Sequence, residues 1–117
     1  MGHSLPAGVA EDSYALQRVF KENAPSPRTS IVHNTFTNIY AVRHKDWVLI
    51  AHKTGAHTQV PGWLNTEHGY VEHNHAGELY DLRNDLEQKH NLYGSNPSMV
   101  RELTALLESI RAKGQVR

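Results

Sequence analysis

The sequence predicts an α+β domain: a small antiparallel sheet of about four strands, a C-terminal helix packed across one face, and a short N-terminal helix nearby. Three observations predict it. A capped helix with a single apolar stripe lies near the C-terminal end. Several short β-rich runs precede it, two of them joined by a tight polar turn. A length of 117 residues sets the scale of one domain with a small core.

Taken in order, residues 1–10 are rich in Gly, Pro and small side chains and read as a lead-in. Asp12 or Ser13 can cap a helix over 14–22, where Leu16, Val19 and Phe20 make a narrow apolar stripe. Residues 23–28 (N-A-P-S-P-R) form a linker, because two prolines forbid helix continuation. The expected division is therefore 1–28 as lead-in, short helix and linker, and 29–117 as the α+β domain. Residues 29–33 read as a strand from their β-branched content, and residues 38–43 alternate as a second. His44-Lys45-Asp46 is a polar turn into the most apolar run, residues 47–52, which suits a central strand. Residues 53–76 show no period and read as a long loop with four His. Residues 78–82 form the last strand, with Leu79 and Leu82 toward the core and Tyr80 and Asp81 toward the other side. Arg83-Asn84-Asp85 supplies turn chemistry. The closing helix runs Pro97–Lys113: Asn96 caps it, and Met99, Val100, Leu103, Leu106, Leu107 and Ile110 share one stripe. Gly114 fits the position just past its end.

The charge is balanced, with 12 basic and 12 acidic residues, which argues against a nucleic-acid footprint or attraction to anionic membranes. With no Cys there is no disulfide, thiolate metal site or Cys nucleophile, and the compartment stays unknown. No apolar run reaches the roughly 18–20 residues of a membrane span, and the N-terminus lacks the apolar core of a signal peptide. The chain as given reads as soluble.

Two groups of side chains offer chemistry. His68, His73 and His75 (H-x4-H-x-H), with His57, Glu67 and Glu72 nearby, are candidate metal ligands. Their spacing matches no standard zinc pattern, and a solvated loop cluster is the simpler reading. Trp47, Trp63 and Tyr70 can make an aromatic wall. Trp47 suits sheet packing, which leaves Trp63, after Pro61-Gly62, as the better contact residue.

Leu79-Tyr80-Asp81-Leu82, Asp85 and Asn91-Leu92, followed by a Leu-rich helix, resemble the C-terminal end of the type I sulfatases, the arylsulfatase family. That family commonly reads L-Y-D/N-L-x-x-D-P-x-E-x-x-N-L there, with Leu86 and Gln88 departing from the pattern here. Ile31-Val32-His33-Asn34, Tyr40-Ala41-Val42-Arg43 and Asp46-Trp47-Val48-Leu49-Ile50 resemble its V-H-H-S and F-A-I-R-x-G-D-W-K-L-I. Asn34 stands for a second His, Lys45 for Gly and Val48 for Lys. Leu5-Pro6-Ala7-Gly8 and Glu11-Asp12-Ser13 resemble L-P and A-G-E-D-S.

The resemblance implies the C-terminal subdomain of a sulfatase-like sulfuric ester hydrolase, as a fragment or stand-alone relic. Such a subdomain buttresses a catalytic domain and lends residues to the pocket rim. His33, Asn34 and Trp63 are the expected rim residues, and no residue here is expected to be catalytic. The family uses calcium and a formylglycine made from the Cys or Ser of C/S-x-P-S-R. Neither Ser26-Pro27-Arg28 nor Ser4-Leu5-Pro6 has that spacing, so no cofactor is expected in this chain. The implied partner is a sulfatase catalytic domain. The alternatives are a self-associating interaction module, forming a homo-oligomer through an exposed apolar face, and a metal-binding protein using the His-rich loop.

Overall fold

The computed structural model describes residues 14–34, 38–53, 61–69 and 74–114. Its elements run α1 (Gln17–Glu22), β1 (Ser30–Asn34), β2 (Tyr40–His44), β3 (Trp47–Ile50), α2 (Gly62–Glu67), β4 (Glu78–Asp81) and α3 (Pro97–Lys113). The four strands form one antiparallel sheet in the order β1-β2-β3-β4. α3 packs against β2 and β3. This is the expected α+β architecture.

The register explains where the core sits. Val32 pairs with Val42, Val42 with Leu49 and Leu49 with Leu79. One apolar residue from each strand therefore joins a single row on the face under α3. Leu103 and Leu107 come down onto that row, and Val42, Leu79 and Leu103 are completely buried. Burying each such side chain contributes about 1.5–3 kcal/mol. Trp47, Tyr40, Val100 and Leu106 pack around the rim of this cluster. The Arg111 guanidinium sits 4.3 Å above the Tyr40 ring and closes one end of it.

α3 forms where its capping signals put it. The Asn96 side chain accepts from the Met99 N–H at 3.4 Å, and Pro97 occupies the first turn, where a missing N–H is harmless. At the other end Gly114 adopts φ 67° and its N–H donates to the Ile110 carbonyl at 2.9 Å. Arg111 and Lys113 lie in the last turn, matching the negative end of the helix dipole.

Four local expectations need correction. α1 begins at Gln17 with Leu16 at its cap position and no side-chain cap, so it is shorter than 14–22. It buries nothing, and Phe20 is 81% exposed, because three apolar residues make too narrow a stripe to drive docking. The β2–β3 turn holds two residues, since His44 still pairs with Trp47. Lys45 takes φ 54° there, and its N–H donates to the Thr29 carbonyl at 2.9 Å. The stretch 53–76 contains α2, which starts after Pro61 without a side-chain cap. Finally, β4 is buried on both sides: Leu79 faces α3, whereas Glu78 and Tyr80 are buried on the opposite face. Asp81 alternates with Tyr80 and so lies on the Leu79 side.

Gly77 sits where backbones meet. A Cβ there would lie 2.6 Å from Tyr93 Cε2 and 2.8 Å from the Ile50 carbonyl oxygen. At Gly94 the clash, 2.8 Å, is with the end of the exposed His75 ring, which can swing away. Urea unfolding should show Gly77→Ala losing about 1–3 kcal/mol and Gly94→Ala losing clearly less. Leu103→Ala should lose about 2–5 kcal/mol. Equal tolerance of both glycine variants would contradict the packing described.

Candidate functional site

Alternation along β1 places His33 on the sheet face away from α3, opposite Ala41, with Asn34 next to it opposite Tyr40. Both side chains are exposed. They can donate to or accept from an outside group, but nothing among the described residues converges on them as a pocket would require. Trp63 lies on α2 and is 66% exposed, a rigid apolar surface suited to contact. Trp47, by contrast, packs against the core.

The His candidates are spread apart in role. His68 is the C-cap of α2. His75 lies against Tyr93, with ring centroids 6.1 Å apart and the planes tilted by 33°. His73, His57, Glu72 and Tyr70 fall outside the described residues. Among the described residues no group of three or more His, Cys, Asp or Glu side chains is placed to hold a metal ion.

The residues of the 79–92 motif are occupied with backbone. Asn91 Oδ1 accepts from the N–H groups of both Leu79 (2.9 Å) and Tyr93 (2.9 Å), and its Nδ2 donates to the Gly77 carbonyl at 3.3 Å. The Leu92 N–H donates to the Leu79 carbonyl at 2.7 Å. Asn91-Leu92 thus satisfies the outer edge of β4. Asp81 accepts from the Arg83 N–H (3.1 Å) and from the Asn84 side-chain amide (2.7 Å), which folds the turn back. Asp85 accepts from the N–H groups of Lys89 (3.0 Å) and His90 (2.7 Å). These side chains build a corner and leave little for a ligand.

Charge supports the same corner. Burial works to raise the Asp85 carboxyl, but the N–H groups of His90 and Lys89, with the His90 ring nearby, outweigh it and hold the carboxyl below its ordinary value. Arg83 donates to Asp46 at 2.6 Å, and that bond with the Asp46 charge raises the guanidinium further. The Leu82 N–H donates to the Asp46 carbonyl at 2.7 Å, so the turn before β3 and the turn after β4 are tied together.

Away from His33, at the open end of the β1–β2 pair and beside the β2–β3 turn, lies a cleft of about 330 Å³ that the sequence did not mark. It is lined by Ser26, Arg28, Thr29, Ser30, Ile31, Arg43 and Lys45. Arg28 stands apart in sequence from Arg43 and Lys45, and the β1–β2 pairing brings the two stretches together, so no local pattern could have disclosed the cleft.

Two outcomes are expected from the corner. Asn91→Ala should lower stability by about 1–3 kcal/mol, the range for leaving buried donors unpaired, with hydrogen exchange at the Leu79 amide accelerated. Asp85 has a lowered carboxyl pKa, so its contribution is full above the ordinary carboxylate range and fades as pH falls through its lowered value. Urea titrations from pH 7 to pH 3 should therefore show a shallower acid-side loss in Asp85→Asn than in the parent.

No protein-family model matches the chain. It is 29% identical over 109 residues to an N-acetylgalactosamine-6-O-sulfatase of Bacteroides thetaiotaomicron, an alignment spanning 93% of this chain and 20% of that protein. A solved sulfatase structure from work on glycosaminoglycan metabolism by the same bacterium superposes with TM-score 0.67 at 29% identity, again over 93% of this chain and 22% of the other. The chain thus spans about a fifth of the length of the relatives it matches. In sequence and in fold it is a homologue of part of a sulfatase, and its extent fits the C-terminal region.

Proposed function

We propose that the chain serves as the non-catalytic C-terminal subdomain of a sulfatase-like sulfuric ester hydrolase, supporting a larger catalytic body and contributing to its pocket rim. The observation that carries this reading is the sulfatase similarity across 93% of the chain but only 20% of the relative. The spending of the motif side chains on turns and strand edges supports it, since such residues hold shape and do no chemistry. On this reading His33, Asn34 and Trp63 face the catalytic body and touch the outer part of its substrate. Calcium and the formylglycine belong to that body. A sulfated amino sugar, the class named for the relative, is the corresponding substrate.

A second reading is favoured by the sheet face opposite α3. Ile31 and Val48 flank Arg43 there, and Ala41 pairs with Ile50. All four apolar residues are half-buried in this chain. A face of this kind suits either the catalytic body or a second copy of the chain.

Purified 117-residue chain incubated with an aryl sulfate and calcium should release no phenol above the uncatalysed rate. Turnover that survives repurification would overturn the supporting role. Sedimentation at tens of micromolar discriminates the second reading: self-association requires a dimer or larger species, and a strict monomer removes it.

A further inference from the structure

The two outer edges of the sheet are finished differently. Along β4 the backbone is capped: the Leu79 N–H donates to Asn91 Oδ1 at 2.9 Å, and its carbonyl accepts from the Leu92 N–H at 2.7 Å. β1 forms the other edge. The Thr29 carbonyl accepts from the Lys45 N–H at 2.9 Å, so in the antiparallel ladder Thr29, Ile31 and His33 turn their backbone toward β2. Ser30, Val32 and Asn34 turn theirs outward. Among the described residues no hydrogen bond reaches the outward N–H and carbonyl groups of Val32 and Asn34.

Nothing in the side chains blunts this edge. Residues 29–34 include no Lys, Asp, Glu or Pro, and the pairing with β2 runs residue for residue without a bulge. Charges, prolines and bulges are the devices that ordinarily keep an edge from taking up another strand. The strand is also fixed in position. Ser30 is buried with its Oγ 2.7 Å from His44 Nδ1, and Val32 packs against the core. A preformed edge of this kind pairs with an extended strand at little ordering cost.

The apolar row says which strand fits. Val32 is its outermost member and only half-buried, while α3 packs on β2 and β3. A strand with an apolar residue opposite Val32 would finish the row, and a polar residue there would leave it incomplete. A second β1, antiparallel about a twofold axis at Val32, meets that need with the sequence already present. Val32 then lies opposite Val32 of the second copy, Ser30 opposite Asn34, and Ile31 opposite His33.

We propose that two copies of this chain associate edge to edge through antiparallel β1 strands, joining their four-stranded sheets into one. The two Val32 residues exchange N–H and carbonyl bonds at the centre, and the two apolar rows become continuous beneath both α3 helices. The surface is the strand edge and not the sheet face carrying Ile31 and Val48, and the proposal does not rest on the sulfatase reading.

The test is sedimentation equilibrium of the 117-residue chain at tens to hundreds of micromolar, where a monomer–dimer equilibrium is expected. Hydrogen exchange at the Val32 amide should slow as concentration rises. Asn34→Pro removes an outward N–H and spares the β1–β2 ladder, so it should keep the parent's Tm and raise the dimer Kd about tenfold. His33→Lys puts a charge on the edge strand and should weaken the dimer similarly. Val48→Lys, on the sheet face, should leave the dimer intact. A strict monomer across the range, or a dimer that both edge variants leave intact and Val48→Lys dissolves, would overturn the proposal.

Discussion

The row Val32–Val42–Leu49–Leu79, covered by Leu103 and Leu107, is the contact on which the other features rest. It takes one residue from each strand, so a single face of the sheet holds all four strands to α3. Because side chains alternate, slipping any strand by one residue would remove its member from the row and substitute a residue from the other face. The register is therefore set by burial, and with it the positions of everything on the opposite side. His33, Arg43 and Tyr80 are where they are because Val42 and Leu79 are buried and the half-buried Val32 packs against them.

The second constraint is the corner that closes β4. An outer strand presents N–H and carbonyl groups that need partners. Here Asn91 and the Leu92 amide provide them, while Asp81 and Asp85 fold the chain round to deliver Asn91. The same chain then passes through Tyr93, which packs against the core and over Gly77. A run of sequence that looks like a functional signature is in this way explained by backbone accounting.

Much of this was legible in the residues. Asn96, Pro97 and Gly114 mark the ends of α3 because each satisfies a specific need at a helix terminus, and the bounds Pro97–Lys113 came out as read. The four strands were visible from β-branched content and from the polar turn at Lys45-Asp46. α2 was not, because a helix of Gly62–Glu67 has too few residues to show a period and no capping side chain. The buried face of Tyr80 was missed since alternation says which side a residue takes and not whether that side is covered. For the site, the expected rim residues His33, Asn34 and Trp63 lie exposed on β1 and α2, and how those elements stand in space was beyond reading from spacing. The cationic cleft was invisible for the same reason, its members being separated by a strand and a turn.

The two ends of β3 are joined to the sheet in very different ways. On one side, two residues connect it to β2, and adding or deleting one there would put Val42 and Leu49 out of line. On the other, residues 51–77 carry the chain to β4. Closure entropy rises only with the logarithm of length, so doubling that connection would cost about 0.6 kcal/mol. Evolution can accordingly lengthen, shorten or rewrite the α2 excursion at small thermodynamic expense, which makes it the natural place for related chains to diversify what they touch while keeping one scaffold.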